Sequence, residues 1–256
     1  MKDLFNLSGK VALITGATSG MGKAIAEAMG QHGAIVVISS NDNAACELVL
    51  VEFQEKGIRA FAIPCDVSKK EYIENLYQNA IEKVGKIDIL VSCVGLGEAG
   101  SFLDINSESF EKTMQINLQS AIYLTKLVIP KMVEQHDGVL IYLASIASVR
   151  GNKSLGLYGI SKAGLVQLAR NLAVEFGPNN IRANTISPGM IDTPFSESLM
   201  ANNVFMEKRM ALTPLRRVGT VKEIAGIAVM LASKAGGFIT GQNIIVDGGT
   251  TISDGN

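Results

Sequence analysis

Three side chains, Ser145, Tyr158 and Lys162, could together move a proton onto or off an oxygen atom. Tyr158 and Lys162 are four residues apart in a stretch with helical periodicity, so both side chains project from one face of a helix. A phenol has a pKa of about 10, but a neighbouring ammonium stabilises phenolate and lowers that pKa. A tyrosine tuned in this way can deliver or remove a hydroxyl proton while hydride moves at carbon; for this pair alone, an interfacial tyrosine beside a snorkelling lysine is the alternative. The Ser145 hydroxyl would hold the carbonyl oxygen.

These residues must be positioned by an alternating pattern of strands and helices. Short apolar runs predict strands at 11–15, 35–39, 59–64, 87–91, 139–144, 182–186 and 243–246. Helical periodicity predicts helices at 20–31, 44–56, 69–84, 107–134, 158–176 and 221–232. Strands buried on both faces form continuous apolar runs, and their alternation with helices implies parallel βαβ units. The pattern predicts one α/β domain over residues 1–256. It would be doubly wound and Rossmann-like, with a seven-stranded parallel sheet and helices on both faces.

The first predicted strand runs into a glycine-rich turn, Thr15–Gly22 (TGATSGMG), which opens the first helix. A phosphate requires backbone N–H donors at a helix N-terminus and no Cβ in the way. Gly16 permits a tight turn, Gly20 permits close approach, and Gly22 lets the helix pack on the strand. The position predicts nucleotide binding; the alternative is a plain tight turn between strand and helix.

One segment, residues 187–214, is too long for an ordinary connection. It carries three prolines and many apolar residues, and it follows the carboxyl end of a predicted strand. We predict that this segment, called the lid segment below, covers a binding site. The alternative is a pair of short helices packed as a satellite core.

Composition limits the classes of protein to consider. Hydrophobic residues make up 47% of the 256 residues and charged residues 18%, which excludes disorder as the main state. Twenty-three basic and 24 acidic residues exclude an electrostatic attraction to nucleic acid or to an anionic membrane. The three cysteines, Cys46, Cys65 and Cys93, form no CxxC pair, which favours a reducing compartment. With neither a signal peptide nor a membrane span in evidence, we expect a cytoplasmic protein. No group of His, Cys, Asp or Glu residues has the spacing of a metal site, so no metal is expected.

Nearly the whole chain resembles the short-chain dehydrogenase/reductase family. The resemblance rests on the glycine-rich turn, on the gap of thirteen between Ser145 and Tyr158, and on Tyr158–Lys162 (YGISK). It rests also on SPGMIDT at 187–193, PLRRVG at 214–219 and the tail from Thr240 to Gly249. These motifs occur in order and at family length.

The resemblance implies a role for each catalytic candidate. Tyr158 would be the general acid/base, and Ser145 would orient and polarise the substrate oxygen. Lys162 would hold the ribose hydroxyls of the nicotinamide nucleotide and depress the pKa of the tyrosine. Asn117, within MQINL, would anchor a water molecule of a proton relay; an ordinary buried amide is the alternative.

The resemblance also implies the contacts of a nicotinamide dinucleotide. Asp66 and Val67 would meet the adenine, and a clamp after the sixth strand would hold the carboxamide. The implied cofactor-binding residues are Gly16, Ser19, Gly20, Met21, Gly22, Ser40, Asn41, Asp66, Val67, Gly95, Tyr158, Lys162, Pro188, Gly189, Ile191 and Thr193.

Two departures from the family pattern concern the cofactor. The usual Asn-Asn-Ala-Gly is here Ser92–Gly95 (SCVG), where Cys93 is expected to be a small buried hydrophobe and Val94 to crowd the ribose. The acidic residue that binds the adenosine 2′-hydroxyl is replaced by Ser40. Asn41 follows where an arginine is typical, and Asp42 could shift inward and restore a preference for NAD. The sequence therefore favours NADP(H) only slightly over NAD(H).

The implied activity is hydride transfer between NADP(H) or NAD(H) and a secondary alcohol/ketone. An apolar substrate is predicted, because Leu96, Ile146, Val149 and Leu155 are expected to face the pocket. One alternative is a 3-oxoacyl-thioester reductase. Its acyl-carrier partner would need a basic patch, for which the candidates are Arg150, Lys153, Arg209, Arg216 and Arg217. A remote alternative is a non-catalytic dinucleotide-binding sensor. The partners expected are a small carbonyl or alcohol substrate and, from the resemblance, three further copies in a homotetramer.

Overall fold

All strands in the described part of the chain, residues 4–98 and 100–253 of a computed structural model, belong to one parallel sheet. Its order is β3-β2-β1-β4-β5-β6-β7. The strands are β1 (Val11–Thr15), β2 (Ile35–Ser39), β3 (Ala60–Ala62), β4 (Ile89–Ser92), β5 (Gly138–Leu143), β6 (Ile181–Pro188) and β7 (Asn243–Val246). The direction of winding reverses between β1 and β4, which opens a crevice at the carboxyl ends of the strands. The predicted doubly wound, seven-stranded parallel sheet is confirmed.

The helices connect these strands nearly as the sequence predicts. They are α1 (Gly20–Gln31), α2 (Asn43–Glu55), α3 (Lys70–Val84), α4 (Ser107–Met114), α5 (Ser120–Gln135), α6 (Gly156–Phe176), α7 (Glu197–Met200), α8 (Asn203–Ala211) and α9 (Val221–Ala232). The long helix predicted over 107–134 is interrupted by a π-helical turn at Gln115–Gln119. None of the helices within the described ranges combines the length and the apolar character that crossing a membrane would require.

Each central strand contributes side chains to two separate cores. On β1, Ala12 and Ile14 pack in a core with residues of α1, α2 and α9. Val11 and Leu13 pack in a core on the opposite face with residues of α3, α5 and α6. Because successive side chains of a strand point to opposite faces, a sheet covered on both faces buries apolar side chains on both sides, and the polar residues of β1 and β4, Thr15 and Ser92, come last in their strands. This arrangement leaves the carboxyl ends of the strands as the place for polar groups and ligands.

Candidate active site

A cleft of about 230 Å³ opens at the carboxyl ends of β1, β4 and β5. We call it the turn cleft, because its floor is the glycine-rich turn. Its lining comprises Gly16, residues 18–22, Ser40, residues 93–95, 143–144 and 193–195, Tyr158 and Lys162. The predicted catalytic pair and most of the predicted cofactor-binding turn therefore face one cavity.

The turn brings backbone N–H groups to the cleft. Gly16 and Gly20 have φ angles of +69° and +52°, and a Cβ on Gly16 would lie 3.2 Å from the Cys93 backbone. Ser19 caps the N-terminus of α1 without a side-chain hydrogen bond to the first turn. The N–H groups of that turn are therefore open to a ligand, and a phosphate fits there with the helix dipole favouring its charge.

Gly22 packs against the turn so closely that no side chain is possible. An ideal Cβ would lie 2.1 Å from the Gly16 carbonyl oxygen. We expect Gly22→Ala to lower the free energy of unfolding by about 1–3 kcal/mol through overpacking. The cofactor dissociation constant should rise by about tenfold or more, for which a loss of ~1.4 kcal/mol suffices. Chemical denaturation and fluorescence titration with the reduced cofactor measure both effects.

The matched control is Gly226→Ala on α9, where an added Cβ meets nothing within 4 Å. This exposed helical position should gain roughly 0.5–1 kcal/mol from the better helix former and keep normal cofactor binding. Equal behaviour of the two variants would contradict the assigned role of the turn.

Ser145 lies directly after β5 and starts a 3₁₀ turn, Ile146–Ser148. Its Oγ accepts a hydrogen bond of 3.1 Å from the backbone N–H of Ala147. It also hydrogen-bonds the side chain of Tyr158. The backbone contact uses one lone pair of the Ser145 oxygen and fixes that oxygen beside Tyr158.

Helix α6 places Tyr158 and Lys162 on one face, with the Lys162 Nζ 5.7 Å from the centroid of the Tyr158 ring. Nζ donates hydrogen bonds to the carbonyl oxygens of Leu143 (2.9 Å) and Val94 (3.4 Å). Lys162 is 3% exposed, and burial lowers its pKa to about 8. Gly95 makes room for this amine, since a Cβ there would lie 3.1 Å from Nζ.

The predicted lowering of the Tyr158 pKa by Lys162 is wrong for the protein's own groups. Burial raises the pKa of Tyr158, and the hydrogen bond from Ser145 only partly opposes this. The Lys162 amine donates its hydrogen bonds to two backbone carbonyls, those of Leu143 and Val94. At neutral pH the phenol is therefore a protonated hydrogen-bond donor.

Asn117 lies in the π-helical turn behind the cleft and does not line it. The Leu96 N–H donates to its Oδ1 at 2.7 Å. Its Nδ2 donates to the Leu96 carbonyl at 2.9 Å and to the Ser161 hydroxyl at 3.0 Å. Ser161 in turn donates to the Tyr158 carbonyl at 2.8 Å. Asn117 thus ties the loop after β4 to helix α6, and both hydrogens of its amide are used.

The altered SCVG stretch forms part of the cleft wall. Cys93 is half-buried there and not fully buried as predicted, because one side of it faces the cavity. Burial of its thiol raises the pKa to about 12, so it carries no thiolate at neutral pH. A Val94 methyl packs 3.3 Å from the position a Cβ on Gly16 would take. The two missing amides are thus replaced by apolar packing.

A second cavity, of about 120 Å³, adjoins the cleft. We call it the serine pocket, because Ser145 lines it. The predicted carboxamide clamp lines it too, through Pro188, Gly189, Ile191 and Thr193. Tyr158 lines both cavities. Of the apolar residues predicted to face a pocket, Ile146 and Leu155 do so, whereas Leu96 and Val149 are not in its lining.

The lid segment forms the outer wall of both cavities. Phe195 lines each of them, and its ring centroid is 6.3 Å from that of Tyr158. Helices α7 and α8 contain no buried residue. The alternative of a satellite core is therefore not supported, because such a core would bury side chains of these helices.

Several predicted contact residues lie outside the cleft. Asn41, Asp66 and Val67 are not in its lining. Asp66 accepts a hydrogen bond from the Ser68 N–H, while Val67 packs against the core under α3. Asp42 caps α2 by accepting from the Ala45 N–H at 3.0 Å, so its carboxylate is already engaged there.

Of the five basic candidates, Lys153 is exposed and lines neither cavity, and the other four separate into two groups. Arg217 forms a bidentate ion pair with Glu223, at 2.6 and 3.0 Å, and Arg216 donates to backbone carbonyls at the end of α8. Arg150 and Arg209 instead line the serine pocket. The sequence contained both arginines but no signal that residues 59 positions apart would meet at one pocket.

The family model that matches the chain is described as "Enoyl-(Acyl carrier protein) reductase" and covers residues 16–251. "Dehydrogenase/reductase SDR family member 4" of Oryctolagus cuniculus is 37% identical over 95% of this chain and 94% of its own. The 7alpha-hydroxysteroid dehydrogenase of Escherichia coli K12 is 37% identical over 96% of both chains.

Solved structures agree with these relatives. A 7alpha-hydroxysteroid dehydrogenase complexed with NADH and 7-oxo glycochenodeoxycholic acid matches with a TM-score of 0.94, 37% identity and 97% coverage of both chains. A gluconate 5-dehydrogenase from Burkholderia cenocepacia J2315, in complex with NADP and tartrate, matches with a TM-score of 0.95. It is 27% identical and covers 98% of this chain and 99% of its own. The chain therefore belongs to the short-chain dehydrogenase/reductase family and is an NAD(P)-dependent oxidoreductase that interconverts alcohols and ketones.

Proposed function

We propose that Tyr158 is the general acid/base of this oxidoreductase and that Ser145 holds the substrate oxygen beside it. The observation that carries the proposal is the position of Tyr158 in the wall shared by the turn cleft and the serine pocket. A substrate in the serine pocket and a cofactor in the turn cleft would then meet at its hydroxyl. Their shared wall provides the proximity that a hydride step requires.

The bound nicotinamide supplies or accepts the hydride. In the reducing direction, Tyr158 donates its proton to the substrate oxygen, and Ser145 stabilises the charge that develops there. The proton is present for this step, because an ordinary phenol with a pKa of about 10 is protonated at neutral pH and burial raises the pKa of Tyr158 further. Lys162 would hold the ribose hydroxyls, as the resemblance implies. Asn117 holds the loop after β4 against α6 through its hydrogen bonds to Leu96 and Ser161. We propose that it also anchors the water molecule of a proton relay.

A screen of ketones and secondary alcohols against both coenzymes tests the proposal, with absorbance of the reduced nicotinamide as the signal. Turnover of at least one carbonyl compound is expected. Cofactor binding without turnover across a broad panel would instead favour the non-catalytic sensor.

We propose NADP(H) as the preferred coenzyme. The support is that none of the described residues lining the turn cleft is acidic, and that the Asp42 carboxylate caps α2. Lys23, the first cation after the turn, is paired with Glu52 at 2.6 Å and does not add to the preference. An adenosine 2′-phosphate near Ser40 would thus meet hydroxyl and amide groups without repulsion.

Ser40→Asp should reverse this preference. A carboxylate facing a 2′-phosphate costs several kcal/mol, so the ratio of kcat/KM for NADPH to that for NADH should fall by about 100-fold. Asn43→Asp adds the same charge at the exposed start of α2, outside the cleft lining, and should leave the ratio within about twofold. A wild-type enzyme that strongly prefers NADH would refute the proposal.

The 3-oxoacyl-thioester alternative has one favourable observation, the acyl-carrier wording of the matching family model. This function needs a basic patch for the acyl-carrier protein, and two of its candidate residues are already bound within the protein. Arg216 donates to the Met210 carbonyl, and Arg217 forms an ion pair with Glu223. Comparing turnover of acetoacetyl thioesters with that of simple ketones separates the two functions.

We propose further that the lid segment closes over bound substrate and that residues 1–256 form one domain. A homotetramer is supported by exposed apolar side chains on α5 and α6 and near the C-terminus: Ile122, Ile160, Val174, Phe238 and Ile252. Light scattering measures the assembly. The three free cysteines support a reducing compartment such as the cytoplasm, which fractionation would test.

A further inference from the structure

The serine pocket contains two guanidinium groups beside the proposed catalytic residues. Arg150 follows the 3₁₀ turn that begins at Ser145, so it belongs to the scaffold of the sheet. Arg209 lies on α8 of the lid segment. Both side chains are half-buried and line the same cavity as Ser145 and Tyr158.

Neither arginine has a partner of opposite charge among the residues that the structure describes. Within residues 4–98 and 100–253, no ion pair or hydrogen bond is formed by either guanidinium, and the pocket lining contains no Asp or Glu. The Arg209 guanidinium lies over an aromatic face, with its central carbon 5.4 Å from the centroid of the Phe205 ring. By contrast, Arg217 is neutralised by Glu223.

This arrangement costs free energy that an anion would relieve. Burial lowers the pKa of Arg209, and the positive charge of Arg150 lowers it further. A half-buried cation is normally paired, since removing it from water is unfavourable without compensation. Two such cations facing a cavity therefore form a site for a negatively charged group, and a planar guanidinium matches a carboxylate in a bidentate manner.

We propose that the substrate is an oxo acid or hydroxy acid whose carboxylate is bound by Arg150 and Arg209 while its carbonyl or carbinol group lies at Tyr158. This inference rests on the proposed function and names the substrate class of the same site. It revises the expectation of a mainly apolar substrate by adding a charged end. Ile146, Leu155, Phe195 and Leu199 then pack against the chain between the two polar ends.

The position of the arginines favours a small acid over an acyl-carrier protein. A docking patch for an acidic protein would project from the surface, whereas these two side chains line the cavity itself. Because one arginine belongs to the scaffold and the other to the lid segment, a carboxylate bound by both would also join the lid segment to the sheet.

The test compares oxo acids with their uncharged primary amides. The probes are 4-oxopentanoate and oxo acids with longer spacers, each paired with the amide of the same shape. The wild-type enzyme should show a higher kcat/KM for the acid of the best-fitting length than for its amide. Arg209→Gln and Arg150→Gln should each reduce this acid-to-amide ratio by about tenfold or more, the usual effect of a lost charged hydrogen bond.

The matched control is Lys208→Gln, which removes one positive charge from α8 at an exposed position outside the pocket lining. It should leave the ratio unchanged. A ratio at or below one for every spacer length, or a ratio that survives both arginine substitutions, would overturn the inference. So would a preference for an acyl-carrier thioester that these substitutions reduce while the ratio stays constant.

Failure of the proposed function gives a different result. If the wild-type enzyme turns over no carbonyl compound, the dissociation constants of the same acids and amides are measured by ligand-observed NMR. Stronger binding of the acid, lost in Arg209→Gln, would then support the carboxylate site. Equal binding of acid and amide would refute it.

Discussion

Replacement of Tyr158 by phenylalanine is expected to reduce turnover by about 10²- to 10⁴-fold, the usual contribution of a positioned general acid. The substitution removes only the hydroxyl. The ring can keep its contact with Phe195, whose centroid is 6.3 Å away, and the turn that binds the cofactor is untouched. The dissociation constant for reduced cofactor should therefore stay within a few-fold of wild type, as measured by fluorescence titration. The kcat for the best ketone of the screen measures the loss.

A second tyrosine provides the control. Tyr142 is fully buried on β5, where its hydroxyl forms a hydrogen bond of 2.7 Å with the Thr125 hydroxyl. This residue lines neither cavity. Tyr142→Phe leaves Thr125 without its partner and should lower the free energy of unfolding by about 1–3 kcal/mol while kcat stays near wild type. Undiminished turnover in Tyr158→Phe would refute the assignment. The assignment would also be refuted if, in both variants, the loss of turnover were proportional to the loss of free energy of unfolding.

The sheet could be predicted because local pattern and global burial agree. The bounds of β1, α1 and α9 follow directly from apolar runs and helical periodicity. The short edge strand β3 is less well predicted, since it pairs with one neighbour only and its apolar run continues past the last paired residue. Edge pairing depends on the partner strand, which a local pattern does not contain.

The relative placement of the site residues could be predicted where a single helix or strand end determines it. Tyr158 and Lys162 share a face because α6 has 3.6 residues per turn, and Ser145 faces them because it ends a neighbouring strand. The hydrogen-bond partners of the Lys162 amine and the pKa of Tyr158 were harder to predict. The carbonyls that Lys162 bonds come from β5 and the loop after β4, so the sequence did not reveal where its amine donates its hydrogen bonds.

Contacts between distant segments were also missed. The π-helical turn lets Asn117 bond Leu96 and Ser161, and periodicity alone predicts an uninterrupted helix there. Arg150 and Arg209 meet only because the lid segment folds back over the end of β5. Such encounters depend on tertiary packing and leave no periodic signal in the chain.

Replacement of Lys162 by methionine is expected to reduce kcat/KM by about 10²-fold or more, comparable to the loss of one donor from a preorganised site. Unlike Tyr158→Phe, this substitution should also weaken cofactor binding, because the amine would hold the ribose hydroxyls. The contrast between the two variants separates a group that only transfers the proton from one that also binds. Unchanged cofactor affinity in Lys162→Met would contradict the binding role.

The same substitution has a pH signature that does not depend on activity. Burial lowers the Lys162 pKa to about 8 in the folded protein, against 10.5 for an unperturbed lysine. Below about pH 8 the amine is charged in both folded and unfolded chains, and the full cost of burying the charge opposes folding. Between about pH 8 and 10.5 the unfolded chain still binds the proton that the folded protein has released. The free energy of unfolding of the wild type should therefore rise with pH relative to Lys162→Met, by up to about 3 kcal/mol.

Chemical denaturation of both proteins from pH 7 to 10.5 measures this difference, and the subtraction cancels the titration of every group the two share. At pH 7 two effects oppose each other in Lys162→Met. The cost of a buried charge disappears, but the carbonyls of Leu143 and Val94 lose their donor. Stability there should consequently change far less than turnover does. A stability difference that stays flat through pH 8–10.5 would show that the amine does not titrate in this window, and the lysine would then act on the cofactor from an unperturbed, solvated state.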